Sequence, residues 1–213
     1  EYQWVVFTSA NWPTIDVMTT ETFYHLTFNA SSGNPGFTIA AGDNLISLGT
    51  LSLTNGSVTT GTLEAQGNVT VASTYDGGSA TLLFSGSATQ TFDLTGATTK
   101  YVGPITLNKS GGQVTLASDL TMTVAGMVLT LTAGTLNLNG KTLTTSHPTS
   151  VTTINGTVTF TGGGTLSGTA LTQTAGTFTA GSTTLTLTGN FTLSGGTFNS
   201  TSGTFSVGGN WTH

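Results

Sequence analysis

The side chains able to do acid–base or metal chemistry are few: three His, eight Asp plus Glu and three Lys, with no Arg and no Cys. His25, His147 and His213 are far apart and show no metal-ligand spacing. Without Cys there is no thiolate site and no disulfide framework. No Gly-x-Ser-x-Gly elbow occurs. Gly140-Lys141-Thr142 is the nearest string to a phosphate loop, but Thr135 stands where that motif requires its first Gly, so the string reads as a corner.

A glycan-cleaving carboxylate pair would need two acids converging on one bond. Asp16 and Asp93 are equivalents in an internal repeat, which points to a structural corner. Asp43 and Asp76 lie beside Gly, where Asp is expected to bond its own backbone. Asp119 falls in the slot that Asn190 and Asn210 hold further on, and Glu21 and Glu64 read as solvated. The expectation is a protein without catalytic residues, metal or cofactor.

Eight Asn begin an Asn-x-Thr/Ser string: Asn29, Asn55, Asn68, Asn108, Asn155, Asn190, Asn199 and Asn210. Each is a formal N-glycosylation acceptor. Asn is also favoured at corners and Thr is everywhere in this chain, so the repeat itself generates the strings.

The elements behind these residues are repeats. Gly176-Thr177-Phe178 through Asn190-Phe191-Thr192 aligns without a gap on Gly196-Thr197-Phe198 through Asn210-Trp211-Thr212, an offset of about 20 residues. Gly156-Thr157-Val158 holds the same register one step earlier, and Gly134-Thr135-Leu136 to Lys141-Thr142-Leu143 reproduces the spacing inside a unit. Inside a unit, Thr184-Leu185-Thr186-Leu187-Thr188 alternates with period two, as a strand with one buried face does. Gly and Asn-Gly punctuate the strands at corners, and no stretch carries a helical period.

A longer repeat overlies the first. Val5-Val6-Phe7 through Asp16 to Tyr24 matches Leu82-Leu83-Phe84 through Asp93 to Tyr101, an offset of about 77 residues. Two divergent copies, about 1–78 and 79–150, then precede regular turns over about 151–213. No linker separates them, so residues 1–213 read as one continuous body.

Turns of about 20 residues with three short strands cannot bury their apolar faces alone; stacking buries them in a common axial core. The predicted fold is all-β, a parallel β-solenoid of about ten turns without helices, with a β-sandwich as the alternative. At about 4.8 Å per turn the rod is about 45–50 Å long. Composition agrees. Thr and Ser make up about a third of the chain and charged residues only 5%, which suits ladders in which like charges would repel one rung apart. A net charge of −5 excludes nucleic-acid binding and a basic membrane-surface patch. No apolar run reaches the length of a membrane span.

The units Gly-Thr-Leu-Asn-Leu-Asn-Gly-Lys-Thr-Leu-Thr (134–144), Gly-Asn-Phe-Thr-Leu-Ser-Gly-Gly-Thr-Phe (189–198) and Thr-Leu-Asn-Lys-Ser-Gly-Gly-Gln-Val-Thr-Leu (106–116) resemble the Thr/Gly-rich repeats of secreted bacterial β-solenoid surface proteins and adhesins. The likeness covers nearly the whole chain, the first 12 residues least. It implies an exported structural protein, extracellular or on the cell surface. It says little of activity, because such solenoids serve as adhesins, stalks, fibres and enzyme scaffolds.

Solenoid ends are open sheet edges. The last unit is among the most regular and stops in mid-pattern, and the chain starts at Glu1 without Met, which reads as a processed or trimmed N-terminus. All three Trp lie near a terminus. Tyr2, Trp4, Phe7, Trp12, Asn210 and Trp211 are therefore the expected subunit interface, Trp and Tyr being frequent hot-spot residues. The expected partner is a second copy, joined head to tail into an open filament. The alternative is an adhesin, or an ice- or polysaccharide-binding module, that uses Thr ladders and takes glycans as partners.

Overall fold

The structure is a computed structural model, describing residues 4–31, 35–94, 97 and 102–213. Strands stack in parallel as about ten coils, some 21 residues apart. No helix occurs among the described residues. The predicted β-solenoid is the fold.

Each coil contributes a strand to up to three faces. The first face begins with Trp4–Phe7, His25–Asn29, the front of Leu51–Thr59, Val69–Val71 and Gln90–Asp93. It continues through the rear halves of Ile105–Leu116, Leu129–Asn137 and Val151–Thr161 to Thr177–Thr179 and Thr197–Asn199. The second face has two described blocks: Thr14–Ile15 to Tyr75–Gly78, and Leu120–Thr121 to Phe205–Val207. The third runs from Thr20–Phe23 through Asn44–Ser47, Thr62–Ala65 and Thr81–Phe84 to Phe191–Leu193 and Trp211–Thr212.

The period-two pattern decides which side chains enter. In Leu51–Thr59 the buried positions include Leu51, Leu53 and Val58, with Ser52 and Thr54 between them facing out. Inward ladders of Leu, Val, Ile and Phe form one axial core, from Leu26 and Phe28 to Leu185 and Phe191. Long strands such as Val151–Thr161 run across a corner, serving the third face and then the first, and the ladder shifts register at the corner.

Coil length is less regular than the sequence repeat suggests. Leu51 pairs with Val69, 18 residues on, whereas Leu26 pairs with Leu51, 25 residues on. The 20-residue repeat does superpose like on like: Phe178 pairs with Phe198, Leu185 with Phe205 and Phe191 with Trp211. The 77-residue repeat does not. Val5 lies on the first face and pairs with Leu26, while its counterpart Leu82 lies on the third and pairs with Leu63. That repeat advances a whole number of strands and a fractional number of coils, so matching segments are rotated onto a different face.

The core is not wholly apolar. Lys109 is buried at the corner between the third and first faces, donating from Nζ to the Ser85 carbonyl at 3.0 Å and to Gln90 Oε1. Gln90, also buried, donates to the carbonyls of Ala65 (2.8 Å) and Gly67 (2.6 Å). Burial pushes the Lys109 amine below its usual range, and the paired amide and carbonyls give it the partners a buried polar group requires.

Candidate functional site

On the first and third faces the described inner strands pair with a coil on each side, whereas the strands of the first and last coils pair on one side only, which makes those coils the sheet edges. Among the described residues nine partly buried hydrophobic side chains pack against the core. Val5, Phe7, Val17 and Phe23 belong to the first coil, and Leu193, Phe198, Phe205 and Val207 to the last two; Ala97 is the ninth. The apolar section of the rod is thus open at both ends of the described structure.

Both ends are aromatic. Phe7 stacks on Phe28 with ring centroids 5.4 Å apart and meets Phe23 edge-on at 6.1 Å. At the other end Trp211 lies 4.9 Å from Phe191 and 5.2 Å from Phe205, and Phe198 lies 5.3 Å from Phe205. Trp211 sits in register over the buried Phe191, an inward position, yet is 55% exposed because no coil covers it.

One charged side chain interrupts the first-coil section. Glu21 pairs with Leu45, whose side chain is fully buried, so it occupies an inward position while remaining exposed. Inward-pointing charges on terminal strands blunt sheet edges.

Of the six expected interface residues, Phe7 and Trp211 lie on the end sections. Asn210 is exposed in the last coil, where its backbone N–H donates to Asn190 Oδ1 at 2.9 Å. Tyr2 lies outside the described residues. Trp4 and Trp12 are on the flank, leaning away from the end. The Trp4 Nε1–H donates to Thr27 Oγ1 of the next coil at 3.1 Å. The Trp12 six-membered ring covers Gly36, where a Cβ would come within 2.2 Å of it.

The ionisable groups do not converge. Among the described residues no group of three or more His, Asp or Glu is placed to hold a metal ion. His25 accepts from the Thr50 backbone N–H at 2.8 Å, and His147 contacts Thr149 Oγ1 at 2.9 Å in a remote loop. Two acids depart from the expectation. Asp43 does not bond its own turn; it accepts the N–H groups of Val17 (2.8 Å) and Thr19 (3.1 Å), pinning the preceding coil where Met18 and Thr19 have positive φ. Glu64 is not simply solvated. It accepts from Asn44 Nδ2 (2.6 Å), Ser85 Oγ (2.6 Å) and Gln66 Nε2 (3.0 Å). Partial burial pushes its carboxyl up, and these three hydrogen bonds outweigh that and hold it below the ordinary Glu value.

Asp119 and Asn190 share a device rather than a corner. Asp119 accepts the Thr142 N–H at 2.8 Å before a second-face strand, and Asn190 accepts before a third-face strand. Asn68 does the same for Thr91 at a first-face entry. Gly140-Lys141-Thr142 is a corner, Gly140 N–H donating to the Gly162 carbonyl at 2.8 Å. Seven of the eight glycosylation-type Asn are exposed, and Asn55 is half-buried with its amide spent on Ala30 and Gly56.

Outward Thr residues form ranks. On the third face Thr106, Thr130, Thr153, Thr172, Thr192 and Thr212 stand one above another in unbroken register. The early coils break the rank with Ile46, Glu64 and Leu83. On the second face Thr144, Ser167, Thr186 and Ser206 make another rank.

The fold and these surfaces define the chain as a three-faced parallel β-solenoid whose first and last described coils carry clustered aromatic side chains. Comparison with protein-family models, with curated proteins and with solved structures finds no match to this chain.

Proposed function

We propose that this protein is an extracellular structural subunit that assembles head to tail, the Phe198–Phe205–Trp211 section of one copy seating on the Val5–Phe7–Phe23 section of the next. The observation that carries this reading is that, among the described residues, half-buried core hydrophobics are confined almost wholly to the end coils. A second copy fits because it brings three strands in the same face order, able to extend all three ladders in parallel. The contact is heterologous and does not close, so it makes a filament. The reading involves no catalysis and no cofactor. Negative-stain electron microscopy with sedimentation velocity tests it: filaments with an axial repeat of about 45–50 Å are expected. Discrete rods at all concentrations would refute it.

The Thr ranks favour a second reading, a binding surface for ice or an ordered polysaccharide. Thermal hysteresis by the protein, abolished by Thr153→Tyr together with Thr172→Tyr, would support it.

A further inference from the structure

Trp4, His25, Thr27, Thr50 and Ser52 line a groove on the first face, beside the first coil and clear of its end section. We propose that this groove binds a neutral glycan chain, with the Trp4 indole as the stacking platform.

The indole is fixed and open at once. Its N–H is engaged by Thr27, its ring lies 5.6 Å from His25 at a 56° tilt, and 67% of the residue remains exposed. A large aromatic surface held in one orientation loses little freedom on binding. The C–H bonds on the flat face of an equatorially linked pyranose match the negative face of such a ring.

The polar groups suit hydroxyl partners. Because His25 Nδ1 accepts from Thr50, its neutral ring carries the proton on Nε2 as a donor. Gly49 makes room for the ring, since a Cβ there would lie 2.7 Å from Nδ1. Thr27, Ser52 and Thr70 stand in register along the axis; Thr70 Oγ1 donates to Ser52 Oγ at 3.3 Å, and hydroxyls, which both donate and accept, keep capacity for a ligand. Tyr24, half exposed, extends the aromatic strip with its ring 4.6 Å from His25. None of the five lining residues is acidic, Lys or Arg, which selects against an ionic ligand.

The test titrates cellohexaose and chitohexaose, with polygalacturonate as the charged counterpart, into the full chain carrying Trp211→Ala, so that assembly is read separately. Calorimetry and Trp fluorescence up to about 5 mM sugar register a Kd near 1 mM. Binding of a neutral hexaose is expected, weakened about 10-fold or more by Trp4→Ala. Thr27→Val, which keeps the shape and frees the indole, is expected to weaken it by about 3-fold or more. Absence of neutral-sugar binding, a preference for polygalacturonate, or affinity unchanged in both variants would overturn the proposal. A change in filament formation alone would bear only on the end-to-end reading.

Discussion

Gly176 and Gly140 separate two costs that a corner glycine usually combines. Both have left-handed backbone, φ +68° and +72°. Placing Ala at either costs about 1–2 kcal/mol of backbone strain. Their surroundings differ. A Cβ on Gly140 meets nothing within 4 Å, whereas one on Gly176 would lie 2.1 Å from the Gly156 carbonyl carbon and 2.3 Å from its oxygen. Those atoms are backbone of the coil beneath and cannot rotate away. Overpacking then adds about 1–3 kcal/mol at Gly176 alone. For a chain of this size about 1 kcal/mol moves Tm by about 2–4 °C. Gly140→Ala should therefore lower Tm by about 5 °C and Gly176→Ala by about 10 °C, followed by far-UV circular dichroism. The Gly176 variant should also loosen the last coils first, because solenoid stability is nearest-neighbour. Equal shifts, or a larger one for Gly140, would refute the claim that coil stacking, rather than φ alone, requires glycine at this corner.

Further outcomes follow from the ends and from one acid. Trp211→Ala should raise the critical concentration for filament growth about 70-fold, since about half of an aromatic surface of about 200 Å² at about 25 cal/mol/Å² amounts to about 2.5 kcal/mol; turbidity and sedimentation read it. Glu21→Leu should lower that concentration, because it removes the inward charge over Leu45. Glu64 has a depressed folded pKa, so its contribution is present above the ordinary Glu value and is lost as pH falls through the folded value. Denaturant melts should thus show stability falling below about pH 4.3, with a smaller fall in Glu64→Gln.

Much of the architecture was legible because parallel stacking writes itself into the chain. The alternation Thr184-Leu185-Thr186-Leu187 fixes a strand and its inward side, since successive side chains must point to opposite faces. Gly156, Gly176 and Gly196 recur because each sits against backbone of the coil before it, where a Cβ would approach to 2.2 Å or less. That Phe7 and Trp211 sit at inward positions of the first and last described coils was legible from the alternation. The roles of Trp4 and Trp12 were not, because alternation does not say whether a large ring near an end leans over the core or down the flank.

By itself the sequence determined the strand period, the all-β stacked fold, its count of about ten coils and the scarcity of charge on its ladders. These depend on local sterics and on burial of one side of each strand, and both act within a single repeat. Only the tertiary structure decided which face each strand occupies, as the rotation of Leu82 relative to Val5 shows. Closure of a coil depends on the lengths of its corners, which vary without altering the strand pattern. The same closure brought Lys109 to Gln90, Asp43 to the backbone of Val17 and Trp4 to Thr27. Each of these contacts joins residues 19 to 26 apart whose meeting is set by how the intervening chain turns.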